Sequence, residues 1–225
     1  MDYLFTKPIS MPRGSHYGSD YWVSYSYKLQ RNVQLYSMLE YANFVFLEMN
    51  PLIEYFCEQP LKIEHPVPGK KSIVFDFWVC FFDGTTQFQE VKYSSEILGS
   101  DDKSLRSQKQ IEAEKLWCMS QKYNFKVITE KELLTDQHYF NNLCKLRHIL
   151  CRSGSDSVNY TKAFFDALKN ISNKTIGDII NSELLPSHIV WEILSRQFYL
   201  GNIELEIVGR PIDYSTGVYY GRKKI

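Results

Sequence analysis

Apolar residues recur along the chain at two different spacings, and these mark out its elements. Over 31–50, Val33, Leu35, Leu39, Phe46 and Leu47 fall near helical spacing and Asn50-Pro51 is a stop, so the pattern predicts a helix. Short apolar runs at 53–57, 61–65, 72–82 and 87–93 predict strands, punctuated by Pro60, by Pro66 to Gly69, and by Asp83-Gly84. Residues 101–123 predict a polar-faced helix carrying Leu105, Ile111, Leu116 and Trp117, residues 125–129 another strand, and 131–150 mostly helix. Strands first, then strand alternating with helix, predicts an α/β class: a mixed sheet with helices on its faces. The small polar run 152–157 reads as a linker. Helical patterns come next at 160–170, 175–183 and 186–200, with Gly201 at the end of the last. Residues 203–208 and 216–220 then read as a hairpin around Arg210-Pro211. Helices followed by a hairpin is the order of a winged-helix module. The expected domains are 1–151, with an N-terminal arm, and 152–225.

Composition narrows the function classes. The 225 residues are 44% hydrophobic and 15% aromatic, enough to bury a core. Lys plus Arg and Asp plus Glu both number 26, so the net charge is zero. A nucleic-acid partner would then be met by a local patch, a metal ion or another subunit. Arg13, Lys28 and Arg31 do lie among Tyr17, Tyr21, Trp22, Tyr25 and Tyr27, a mixture that can stack on and grip a nucleic acid or simply pack as an arm. The five cysteines, an odd number with no C-x-x-C pair, argue against a disulfide framework and a zinc knuckle and fit a reducing cytosol; the five histidines show no metal-ligand spacing. The N-terminus has no apolar core of signal-peptide length, and no apolar run is long enough to span a bilayer, so no membrane association is expected.

The informative stretch is Ser72-Ile-Val-Phe-Asp76-Phe-Trp-Val followed by Phe88-Gln-Glu90-Val-Lys92. Residues two apart on a strand share a face, so Glu90 and Lys92 point together. If Asp83-Gly84-Thr85 is a three-residue loop, Phe82 pairs with Thr86 and Asp76 lies opposite Lys92, on that same face. A two-residue loop would turn Asp76 to the other side. A carboxylate inside the apolar run 73–82 is costly unless something pairs with it. One reading is a single buried pair, Asp76 with Lys92. The other is a divalent-cation site. Asp76, Glu90 and the Val91 carbonyl would supply hard oxygen ligands, Lys92 would stabilise charge on a phosphodiester, and Glu40, from the helix, would complete the shell.

Ser37-Met-Leu-Glu40, Asn50-Pro51 through Gln59-Pro60, Phe75-Asp76-Phe77 and Glu90-Val91-Lys92, in that order and spacing, resemble the TnsA family. These are the endonuclease subunits of heteromeric TnsA/TnsB-type transposases. Residues 125–133, the lead-in 13–18 and the tail with Ile203 to Ile207 and Arg210-Pro-Ile fit the same family, so the resemblance spans nearly the whole chain. It implies a restriction-endonuclease-like fold with a PD-(D/E)xK core. It also implies Mg²⁺-dependent cleavage of DNA at the 5′ ends of a transposon, with Mn²⁺ able to substitute. The implied partners are a TnsB-type DDE transposase, which cuts the 3′ ends, and a TnsC-type AAA+ regulator docking on the C-terminal domain. The implied setting is the bacterial cytoplasm, acting on nucleoid DNA. By position, Asp76 and Glu90 match the metal ligands, Lys92 the catalytic lysine and Glu40 the helix carboxylate. The family commonly has Pro before the Asp; Phe75 stands there here.

Two other readings stay open at this point: a non-catalytic DNA- or protein-binding adaptor on the same fold, and a stand-alone restriction or repair nuclease. Lys103, Arg106 and Lys109 could touch phosphates. Asp101, Asp102, Glu112 and Glu114 surround them, which favours a solvated helix. Trp117 and Trp191 read as core.

Overall fold

The computed structural model describes residues 3–10, 20–64, 72–154, 156–171 and 173–221. The lead-in 13–18 with Arg13 and Tyr17, the Pro66 to Gly69 stretch and the basic 222–224 tail lie outside the described residues. The chain forms two compact units, one of residues 1–47 with 53–135, the other of 48–52 with 136–225.

The first unit begins with an antiparallel pair, β1 (Trp22–Ser26) and β2 (Arg31–Leu35), and then α1 (Met38–Met49). The helix expected from residue 31 therefore starts at 38. Along 31–35 only Val33 and Leu35 are fully buried, a period of two that suits a strand. Ser37 then accepts the Glu40 N–H at 3.0 Å through its Oγ, an N-cap that fixes the helix start.

The chain continues with β3 (Ile53–Glu58), β4 (Lys62–Ile63), β5 (Ile73–Val74), β6 (Phe77–Phe81), β7 (Thr86–Val91), α2 (Ser94–Leu98), α3 (Asp102–Gln121), β8 (Asn124–Ile128) and α4 (Glu130–Leu133). The main sheet has the order β3-β6-β7-β8. Its first three strands are antiparallel neighbours, and β8 joins β7 in parallel. One face of this sheet packs on α3: Phe75, Trp78 and Phe88 cluster with Cys118, and Trp117 meets Phe75 and Phe88 edge-on or tilted. The other face meets α1, where Phe44 contacts Phe56 and Phe56 contacts Phe77. Burial of side chains this size stabilises by roughly 1.5–3 kcal/mol each, which holds the sheet between its helices. A mixed sheet flanked by helices is compatible with a restriction-endonuclease-like core.

Two irregularities in the strands set the position of Asp76. The β6–β7 turn is closed by Gly84 N–H donating to Phe81 C=O at 3.0 Å, with Gly84 at φ +81. Asp83 Oδ1 accepts from Thr85 N–H and Oγ1 at 2.8 and 2.7 Å. The loop residues are thus Phe82, Asp83 and Gly84, one position earlier than expected, because glycine takes the left-handed site. Second, the pairing slips between Phe77↔Glu58 and Val74↔Lys62. Gln59, Pro60 and Leu61 there face only Phe75 and Asp76, a bulge that holds Gln59 at φ +37.

The second unit contains α5 (Gln137–Arg152), α6 (Asp156–Asn159), α7 (Thr161–Asn170), α8 (Ile176–Asn181), α9 (Ser187–Tyr199) and the antiparallel pair β9 (Ile203–Leu205) and β10 (Val218–Tyr220). Buried Asn142 of α5 donates to Ile207 and Arg210 C=O at 2.9 and 2.8 Å and accepts from Ile212 N–H at 2.8 Å. Those bonds tie α5 into this unit. The division consequently falls before α5, not in the 152–157 segment that comes after it. Gly201 lies just beyond the last residues of α9 at φ +70, as its position after the helical pattern suggests. Among the described residues, no helix is long and apolar enough to cross a membrane.

Candidate active site

Asp76 sits where the strand breaks between β5 and β6. Its C=O accepts from Gln59 N–H at 2.9 Å, and its Oδ2 accepts from Val91 N–H at 2.7 Å. Carried one residue past Phe77↔Gln89, the register sets Asp76 opposite Glu90, where the sequence pattern put Lys92. The turn moved by one residue, so the pairing moved by two and the face stayed the same. Asp76, Glu90 and Lys92 all lie on the side of the sheet that α3 covers.

Lys92 makes its ion pair with Glu90, Nζ to Oε1 at 2.5 Å, and not with Asp76 alone. Glu90 is fully buried, while a fifth of the Lys92 side chain is exposed. Gln110 of α3 donates through Nε2 to Glu90 Oε1 at 2.7 Å and to Glu114 Oε1 at 2.9 Å. Glu114 is also fully buried, its carboxyl adjoins that of Glu90, and Oε2 of each has no hydrogen-bond partner. A cavity of about 370 Å³ opens beside these groups. Glu40, Gln59, Asp76, Val91, Lys92 and Glu96 are among its walls, and Glu90 lies behind them. Glu40 Oε2 accepts from Tyr36 N–H at 3.0 Å, so the same carboxylate secures the start of α1 and borders the cavity.

The electrostatics come from crowding acids out of water. Burial, and then the charge of Asp76, push Glu40 up to about 8. Burial and Asp76 raise Glu90 well above the usual carboxylate range. Burial raises Glu114 to about 8, although Gln110 offsets part of the shift. Burial alone would lower Lys92, but Glu90 and Asp76 outweigh it and hold the ammonium protonated. Several buried acids here share one ammonium, so they do not all ionise together without more positive charge.

Glu40, Asp76, Glu90 and Lys92 are thus brought to one place. Among the described residues no three His, Cys, Asp or Glu side chains converge closely enough to hold an ion by themselves. The donor set that fits a hard cation is smaller: two carboxylates and a backbone carbonyl, with Glu40 reaching through water. The donorless Glu90 Oε2 and the surplus of acids are features that such a cation would satisfy. Gln110 and Glu114 were missed by sequence reasoning. The charged neighbours of Glu114 point to a solvated face, yet it lies one or two turns from the buried Ser107 and Cys118, on the inward stripe of α3. That spacing was the available signal. Arg106 and Lys109, by contrast, stay largely exposed, and Lys103 pairs with Glu96 at 2.6 Å.

Residues 50–130 match the family model described as TnsA-like endonuclease N terminal. Asp76, Glu90, Lys92, Gln110 and Glu114 fall inside the match, and Glu40 precedes it. No curated protein matches the chain. Residues 50–130, which carry the acid–lysine constellation of the central hairpin, are thus similar to the N-terminal domain of TnsA-like endonucleases, and this similarity supports a TnsA-family endonuclease.

Proposed function

We propose that this protein is the Mg²⁺-dependent endonuclease subunit of a TnsA/TnsB-type transposase, cutting DNA at the 5′ ends of the transposon. The observation that carries the reading is the cavity-side gathering of Glu40, Asp76 and Lys92 over the buried Glu90, whose Oε2 has no donor. Asp76 and Glu90, with the Val91 carbonyl, are the residues that would hold the ion. When bound, Mg²⁺ supplies charge neutralisation for the phosphodiester and acidifies a water. The rest falls to the chain's own groups. Val91 N–H fixes the Asp76 carboxylate. Glu90 anchors Lys92, whose ammonium faces the cavity and stabilises the negative charge that grows on the phosphoryl oxygens. A water oxygen bonds to phosphorus and the bond from phosphorus to the 3′ oxygen breaks, leaving a 5′-phosphate and a 3′-hydroxyl. The adjoining acids are raised toward neutral pH and are suited to exchanging the displaced protons.

The zero net charge supports action inside a complex, where a TnsB-type transposase brings the transposon ends. The second unit, with its helices and terminal hairpin, is the winged-helix-like part of this reading and the docking site for a TnsC-type regulator. The test is strand cleavage of end DNA from the element that encodes the protein, in MgCl₂ with its partner transposase. Wild type should nick the 5′ ends, and Asp76→Ala or Glu90→Ala should be inert while folded. Full cutting by either variant would refute the assignment.

A further inference from the structure

Resting on the nuclease reading for its role, though not for its geometry, one further residue can be assigned. We infer that Gln110 is a positioning residue: its carboxamide, aimed by Glu114, locks the Glu90 carboxylate against Lys92 and so sets where the Lys92 ammonium stands in the cavity.

Donor capacity is the first constraint. A carboxamide nitrogen carries two hydrogens, and Gln110 Nε2 has two acceptors, Glu90 Oε1 at 2.7 Å and Glu114 Oε1 at 2.9 Å. In this orientation each hydrogen of the amide meets one carboxyl oxygen, so both donors are used. Glu114 lies one helical turn beyond Gln110, where i,i+4 side chains meet. Glu90 Oε1 therefore receives two donors, Lys92 Nζ from its own strand and Gln110 Nε2 from α3. The last torsion of a Glu side chain is broad and weakly directed. With Lys92 as its sole donor, the carboxylate plane could turn and the ammonium would follow it. The second donor, on a helix packed against the sheet, removes that freedom. A Lys or Arg at 110 would compete with Lys92 for Glu90, and an acid would add to a crowded cluster. A neutral double donor meets both constraints. Glu90 lies behind the cavity wall and Lys92 forms part of it, so the control passes from α3 through Glu90 to the cavity.

The test uses the full chain, without DNA or metal, labelled with ¹⁵N-lysine. Wild type should give an ammonium ¹H–¹⁵N signal for Lys92, assigned by its loss in Lys92→Met and protected from water exchange by the ion pair. In Gln110→Met, which keeps the side-chain length and cannot donate, that signal should be lost or exchange about tenfold faster or more, with circular dichroism unchanged. If Gln110→Met does not fold, Gln110→Asn, which is one methylene too short to span both carboxyls, is read in its place with the same expectation. A folded variant with an unchanged Lys92 signal overturns the proposal. In a parallel single-turnover assay with MgCl₂ and end DNA, Gln110→Met should cut about ten- to a hundredfold more slowly with the DNA Kd unchanged. A merely structural residue would move both or neither. If wild type does not cut at all, the nuclease reading fails, and the lysine signal still decides the positioning role.

Discussion

Replacing Glu114 by Gln should make the metal-free protein more stable, by an amount that grows with pH. The Glu114 carboxyl is fully buried, and burial holds its folded-state value at about 8 against an ordinary 4.5. The folded state thus keeps a proton that the unfolded state releases. Below about pH 4.5 both states are protonated and the residue costs nothing. Between about 4.5 and 8 folding loses roughly 1.4 kcal/mol per pH unit, and above 8 the loss levels off. Worked through, Glu114 opposes folding by about 1 kcal/mol near pH 5, about 3 near pH 7 and about 5 near pH 9. Glu40 and Glu90 share the same proton load, so a single substitution should recover about half of this, ~2 kcal/mol more at pH 9 than at pH 5. The substituted carboxamide has the same shape as the carboxyl it replaces and does not ionise, so it removes the pH-dependent cost while keeping the contact with Gln110. Urea unfolding followed by tryptophan fluorescence, in EDTA at the three pH values, gives the difference directly. A constant offset at all pH values, or a loss of stability that deepens with pH, would refute the reasoning.

Lys92→Ala leaves the Glu90 carboxylate without its buried counter-charge. It should cost about 3–5 kcal/mol in urea unfolding where Glu90 is ionised, and less as the pH falls and Glu90, raised by burial well above the usual carboxylate range, takes up a proton. It should also slow cleavage by about 10²-fold or more at saturating MgCl₂, while metal affinity changes little. Phe88→Ala removes a fully buried ring that touches Phe75 and Trp117; unfolding should become easier by about 3–5 kcal/mol, read as a lower urea midpoint with an unchanged slope.

Much of this arrangement is legible in the residues themselves. Asp76 interrupts an apolar run, and the strand breaks at that residue, because a carboxylate there can bond Val91 N–H only if the ladder opens. The odd loop parity that Asp76, Glu90 and Lys92 need to share a face is also present. The pairing partner was less legible. It depends on which residue takes the left-handed turn position, and Gly84 claims it, moving the register by two. The strand at 31–35 was hidden because Val33 and Leu35 also fit helical spacing with Leu39. Only the Ser37 cap separates the two readings, and capping is a local signal that apolar spacing does not register. Glu114 escaped for a different reason. Charged neighbours along a helix suggest a wet face, and burial of one acid among them depends on Glu90 arriving from the sheet, where Gln110 of the same helix bridges the two carboxyls. The place of α5 in the second unit rests likewise on distant partners of Asn142, which no local pattern announces.

Catalysis of the proposed kind requires a divalent cation at Asp76 and Glu90. Direct titration of the apo protein with MnCl₂, followed by electron paramagnetic resonance, tests that requirement without any partner or DNA. Wild type should take up Mn²⁺, with MgCl₂ competing. Asp76→Asn and Glu90→Gln, both still folded, should each bind at least about tenfold more weakly. Wild-type protein that leaves all the Mn²⁺ free, or variants that bind as wild type does, would contradict it.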